Sequence, residues 1–359
     1  MTDTATRTLS LFSLFTAKRL PPVTRLLVIL NVGVFVAMLT AGAGLWHSPN
    51  QIQLAWGANF APATADGEWW RLGSAMFLHF GAVHLGMNML ALWDGGKLVE
   101  RMFGSGRFLV LYLVAGVSGN LLSLVIQGNQ AVSGGASGAI FGIYGCLLVY
   151  LWIARPYMQR QEFRWLFWGA LAFSVLTIVM GFVISGIDNS AHIGGFVTGL
   201  LWAVVLFPAL PVTGVPALGW WPRALAATLW AMTILVLATH IPAPKYKWQE
   251  ELQIQSQLRL FSLADQHASR EWQTLLQTGN AGTLRFDEWA TQIDQQVAQR
   301  YEDSFEALSR LPDDPNLPSA GQLAQAKRLA QAKRDASKAA AEKLRNLPFM
   351  PTPPAQDAE

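Results

Sequence analysis

Residues 134–142 read GGASGAIFG, one hydroxyl among glycines and alanines at the mouth of an apolar run. Gly138 and Gly142 stand four residues apart, so on a helix they share a face that lets another helix come very close. A segment with the same spacing follows in SAHIGGFVTG, residues 190–199, where Gly195 and Gly199 come after His192. Packing the two small faces together predicts neighbouring helices with Ser137 and His192 at similar depth. The expected fold class is therefore all-α, a polytopic membrane helix bundle.

The rest of the chain supports a membrane setting. Of its 359 residues 52% are hydrophobic and only 14% charged, where a soluble domain carries about 25% charged residues. Charges are sparse from about residue 26 to 241, and the chain after Pro244 is rich in Gln, Glu, Asp, Lys and Arg. A bilayer core about 30 Å thick needs roughly 20 apolar helical residues. Spans are predicted at 26–46, 76–93, 107–126, 136–154, 165–186, 190–208 and 223–241. The first has a basic leader (Arg7, Lys18, Arg19, Arg25) and an AGA at 41–43, like a signal peptide, but its apolar stretch is long and it reads as an uncleaved helix.

Lys97, Arg101, Arg107, Arg155, Arg160 and Arg164 fall on the same side as the leader, whereas the intervening loops carry only Arg71. That asymmetry predicts a cytoplasmic amino terminus and, with an odd number of spans, a carboxyl-terminal region outside. The organisation expected is a leader at 1–25, a six-helix core at 26–210, a connector and seventh transmembrane helix at 211–243, and an extracytoplasmic helical tail at 244–359. In the tail, FDEWATQIDQQVAQRY (286–301) places Phe286, Trp289, Ile293, Val297 and Tyr301 on one helical face. LPDDPNLPSAG (311–321) breaks the chain, LAQAKRLAQAKR (323–334) reads as a solvated helix, and the end beyond Pro348 reads as disordered.

A net charge of +3 without a basic stripe argues against a nucleic-acid partner. The single cysteine, Cys146, lies in an apolar run, where it forms no intrachain disulfide and serves as a packing residue.

Polar side chains inside spans are costly and need a reason. HFGAVHLGMN (79–88) puts His84 and Asn88 four apart on one helix face, able to donate to a common oxygen; polar glue between helices accounts for such a pair equally well. His79 lies off that face and is expected to hydrogen-bond the outer loop. Ser137 sits at a helix amino end, where free N–H groups favour an anion, which suits a nucleophile beside an oxyanion hole. The same position also suits a helix cap. His192 alone reads as a packing histidine. A serine, a histidine and a His/Asn pair on three alternate spans at one depth favour a catalytic group over glue.

GASG (135–138), AHIGG (191–195) with Gly199, HFGAVHLGMN and GEWWR (67–71) together resemble the rhomboid intramembrane serine proteases over about residues 22–210. The resemblance implies a Ser137–His192 dyad, an oxyanion held by His84, Asn88 and the Ser137 N–H, no metal, and no cofactor. It also implies substrates that are transmembrane segments of other proteins, cut near the outer membrane surface within the lipid bilayer. Trp70 and Arg71 match the family's pair in the first outer loop, and Glu100 and Arg101 match positions that tie helices together on the cytoplasmic side. Phe141 stands where many members have tyrosine against the catalytic histidine; stacking is kept and the hydroxyl lost. Gly135, Gly138, Gly195 and Gly199 are expected to shape the site. No third triad member is evident: Asp188, four residues before His192, could orient it but reads better as a cap on the sixth span, and 187–189 reads as a moving cap over a lateral entry between the second and fifth spans. A bacterial inner membrane is the expected location, and the tail's partner is left open.

Two other readings compete: an inactive relative that binds and escorts membrane helices, and a transporter. Both dyad residues are present against the first. Against the second, no span interior carries Asp or Glu.

Overall fold

A computed structural model describes residues 21–207, 217–281 and 284–348. Most of the predicted leader, the 208–216 connector and the end beyond Pro348 lie outside the described residues. The chain divides after Pro244 into two compact units.

In the first unit α1 spans Pro22–Thr40. The short helices α2 (Asn50–Ala55), α3 (Ala61–Ala65) and α4 (Arg71–Ser74) build the loop that follows. Next, α5 (Ala82–Ala91) runs through a π turn (Leu92–Gly96) into α6 (Lys97–Phe103). The long helices are α7 (Ser105–Gln127), α8 (Ser137–Ala154), α9 (Arg160–Val183), α10 (Asn189–Leu206) and α11 (Trp220–Thr239). Among the described residues six helices are long and apolar enough to cross a membrane, and up to seven if the bent pair Arg71–Phe77 and Ala82–Phe103 counts as one. That pair turns through 94°.

The second span therefore departs from its predicted bounds of 76–93. Residues 78–81 form the bend, and the helix continues to Phe103, so Lys97, Glu100 and Arg101 are helical rather than part of a loop. Gly104, at φ +82°, makes the whole connection to α7. Glu100 can be buried there because four donors meet it: the Val23 and Thr24 N–H groups at 3.0 and 2.7 Å, the Thr24 hydroxyl at 2.7 Å and the Ser105 hydroxyl at 2.6 Å. One carboxylate thus satisfies the open amino end of α1, which starts and stops earlier than predicted. Arg160 and Arg164, placed outside the fifth span, likewise lie within its helix.

The core rests on α8 and α10. A Cβ at Gly195 would collide with the Gly138 carbonyl, and one at Gly199 with the Gly142 carbonyl. On the other side of α10, Gly194 meets Gly119 of α7. Around these contacts Ile140, Ile143, Cys146 and Leu147 are buried with Leu111, Tyr112 and Phe207. The seventh helix backs the same group: Trp230 Nε1 donates to Ser118 Oγ on α7 at 3.2 Å, and Trp230 meets Trp202 of α10 edge-on at 5.2 Å.

The second unit is also helical, with α12 (Trp248–Asn280), α13 (Phe286–Ile293), a π turn (Asp294–Ala298), α14 (Gln299–Ser309) and α15 (Ala320–Arg345). Trp289, Ile293, Val297 and Tyr301 are buried, with Phe286 packed against them. The α15 helix is not the solvated rod expected of its Ala- and Lys-rich repeat. Leu323, Ala326, Ala330, Ser337 and Ala341 are buried along it, a spacing close to a heptad that the six-residue repeat conceals. Burial, and the Asp265 carboxylate that accepts its hydroxyl at 2.8 Å, raise the Tyr301 pKa above its ordinary value.

Gly195→Val should force α8 and α10 apart and cost about 1–3 kcal/mol or more, read as a lower unfolding temperature in detergent. Gly33→Ala, where a Cβ meets nothing within 4 Å, should leave it within about 0.5 kcal/mol of wild type.

Candidate active site

Ser137 is the first residue of α8, so its N–H is among the donors that the helix itself cannot satisfy. Its side chain does not cap the helix, and among the described residues it makes no hydrogen bond. The turn before it depends on Gly135, whose φ of +149° suits glycine and whose N–H donates to the Ala75 carbonyl at 2.8 Å. A Cβ at Gly135 would stand 3.0 Å from His84 Cε1 and 3.6 Å from Ser137 Oγ. The missing side chain is the gap across which the His84 ring edge approaches the serine.

His192 lies in the first turn of α10. Its ring stacks on Phe141, one turn along α8 from Ser137, with centroids 4.4 Å apart and planes 14° apart. Its Nδ1 is buried without a hydrogen-bond partner among the described residues. Asp188 and His84 both lie within electrostatic range of the ring. No hydrogen bond joins Ser137 to His192 in this structure, and such contacts tighten when substrate binds. Phe173 of α9 extends the aromatic row, 6.1 Å from Phe141 and stacked on Tyr144 at 4.3 Å; neither contact was evident from sequence spacing.

Asn88 Nδ2 turns back to donate to the His84 carbonyl at 2.8 Å, leaving its second amide hydrogen unused by that bond. His79 contacts the loop differently from expectation. Its backbone carbonyl accepts Gln53 Nε2 at 3.0 Å, while its buried ring packs edge-on against His84 at 5.1 Å. Residues 187–189, expected to move as a cap, are tied down. Asp188 accepts the Ala191 N–H at 3.1 Å, and Asn189 Nδ2 donates to the Ile178 carbonyl of α9 at 3.0 Å. The exposed stretch just before them is 182–186.

Arg71 is buried and serves the first loop. Nη1 donates to the Leu54 and Ala58 carbonyls at 2.7 and 3.1 Å, Nε donates to Glu68 at 2.6 Å, and the guanidinium lies 4.8 Å from the Trp70 ring centroid. That ring fills the space left by Gly57, at φ +97°. The Trp–Arg pair is thus a brace for the loop beside the bend. Arg71→Ala removes the donor to the Leu54 and Ala58 carbonyls and the ion pair with Glu68, and should cost about 1–3 kcal/mol, measured as thermal unfolding in detergent.

Comparison with known proteins gives the family. A Rhomboid domain model matches residues 66–209. The chain is 35% identical over 240 residues to rhomboid protease GluP of Bacillus subtilis, an alignment covering 66% of this chain and 44% of that protein. It is 31% identical over 199 residues to rhomboid protease AarA of Providencia stuartii, covering 50% of this chain and 70% of the relative. RHOMBOID-like protein 4 of Arabidopsis thaliana is 39% identical over 163 residues, covering 43% of this chain and 38% of that one. The chain thus spans less than half the length of two of these relatives. Its apolar helices and this similarity together show that the chain is an integral multi-pass membrane protein belonging to the rhomboid family of intramembrane serine proteases.

Proposed function

We propose that the chain is an intramembrane serine endopeptidase that cuts transmembrane segments of other membrane proteins near the outer membrane surface, using Ser137 and His192. The observation that carries this reading is the glycine contact of α8 and α10, which stacks His192 on Phe141 one turn from an uncommitted serine hydroxyl.

Ser137 Oγ attacks the scissile carbonyl carbon as His192 accepts its proton, and the imidazolium then gives that proton to the leaving amine. The carbonyl oxygen, negative in the tetrahedral intermediate, takes hydrogen bonds from the Ser137 N–H at the positive end of α8 and from His84 and Asn88. Water, deprotonated by His192, releases the acyl group and restores the serine. Gly135 keeps the approach to Ser137 open.

A peptide bond in an intact helix is shielded by its own hydrogen bonds, so substrates with Gly, Pro or other helix-weakening residues near the outer surface are favoured. Entry runs between the second span and α9. The only buried residues of α9 are Glu162, Ala170 and Ser174, so that helix is lightly held. The proposed setting is a bacterial inner membrane with the amino terminus cytoplasmic and the second unit outside.

In liposomes with a helix-destabilised transmembrane substrate, wild type should cleave, while Ser137→Ala and His192→Ala should fall by at least about 10³-fold. Equal product from all three would rule out the dyad. Replacing the substrate's Gly and Pro residues by Leu should slow cleavage at least several-fold in the same assay; an unchanged rate would remove the unwinding requirement.

A further inference from the structure

Asp188 stands four residues before His192, and Ser133 stands four residues before Ser137. The structure joins them. One Asp188 carboxylate oxygen accepts the Ser133 hydroxyl at 2.6 Å and the Ser123 hydroxyl of α7 at 2.5 Å, while the other accepts the Ala191 N–H at 3.1 Å. A helix cap needs only the last of these. The two further bonds reach the chain leading to Ser137 and the helix beside it, and both are of the short charge-assisted kind.

Ser133 is held from its other side too. It exchanges both backbone hydrogen bonds with Asn59, each at 2.8 Å, and Asn59 Nδ2 donates to the Asn120 carbonyl of α7 at 2.9 Å. The glycine contact of α8 and α10 fixes how closely the two helices approach. It does not hold the turn through Gly134 and Gly135, which carries the nucleophile and whose backbone is permissive. Reacting groups must be held to within about 0.5 Å, and a 1 Å error costs about 10²-fold.

We infer that Asp188 is a positioning residue, which fixes the Ser137 turn against the His192 helix by holding Ser133 and the first turn of α10 on one carboxylate. The inference rests on the protease reading above and assigns Asp188 no contact with substrate.

The test measures turnover of the same substrate in liposomes and the rate of fluorophosphonate labelling, with unfolding temperature alongside. Asp188→Ala should lower kcat about 10- to 100-fold, leave KM within about twofold and slow labelling in proportion. Asp188→Asn should recover most of that loss. Its carbonyl oxygen can cap α10 and its two amide hydrogens can donate to the two serine hydroxyls, so the positions survive without the charge. Ser133→Ala leaves the cap intact and should slow labelling several-fold, which keeps the test open if Asp188→Ala does not fold. A folded Asp188→Ala with wild-type kcat, a loss confined to KM, an Asn variant no better than Ala, or a Ser133→Ala indistinguishable from wild type would each overturn the inference. Wild type and Ser137→Ala separate the two levels. Wild-type protein that neither cleaves nor labels sinks the protease reading and this inference with it, whereas labelling through Ser137 with indifferent Asp188 and Ser133 variants sinks the inference alone.

Discussion

The membrane unit depends on a backbone-to-backbone contact. Where α8 and α10 cross, the carbonyls of Gly138 and Gly142 occupy the space that side chains at 195 and 199 would need. In lipid there is no hydrophobic drive to bring two apolar helices together, so association relies on close van der Waals packing of small residues. Everything polar near the crossing follows from that proximity. His192 has Phe141 to stack on because α10 lies so near α8, and Ser137 starts its helix at the level where α10 also starts.

Much of this was legible in the sequence because glycine spacing, apolar length and intramembrane polar residues are local signals. The pairing of 138 and 142 with 195 and 199 could be read directly, as could six of the spans to within a few residues. What could not be read were contacts made across the fold. The resemblance assigned Glu100 to tying helices together, but not its partners, the N–H groups at the amino end of α1. The break at 78–81 was hidden because the sequence on both sides is apolar, and helix hydropathy does not report a bend. The sequence did not show that His79 bonds the outer loop through its backbone carbonyl, and the wider bonding of Asp188 needed partners from positions 123 and 133 that no spacing rule connects.

The two units solve their packing problems differently. In the membrane unit large apolar side chains such as Phe182, Val183, Leu225 and Leu235 are exposed on the helices, as a lipid-facing surface requires. The second unit buries Ile254, Trp289, Ile293 and Tyr301 in a core of its own and ties its surface with ion pairs, among them Arg334 with Glu302 at 3.1 Å and Lys333 with Asp265. Its α15 shows how a buried face can be built mostly from small residues: apart from Leu323 they are Ala and Ser, so little hydropathy marks it, and the Lys and Arg between them gave it the look of a solvated helix. The seventh helix belongs to the first unit's packing. Ile234, Leu237 and Ile241 gather around Leu121 and Leu124 of α7, so it braces the helix that supports both α8 and α10.

The most direct measurement of the central claim is an experimental structure of the protein after reaction with a fluorophosphonate. The account predicts phosphorus bonded to Ser137 Oγ, the phosphoryl oxygen facing His84, Asn88 and the Ser137 N–H, and the His192 ring still stacked on Phe141 within hydrogen-bond reach of the adduct. A phosphonate on any other residue, or a His192 ring turned away with the α8 and α10 glycines out of contact, would contradict it.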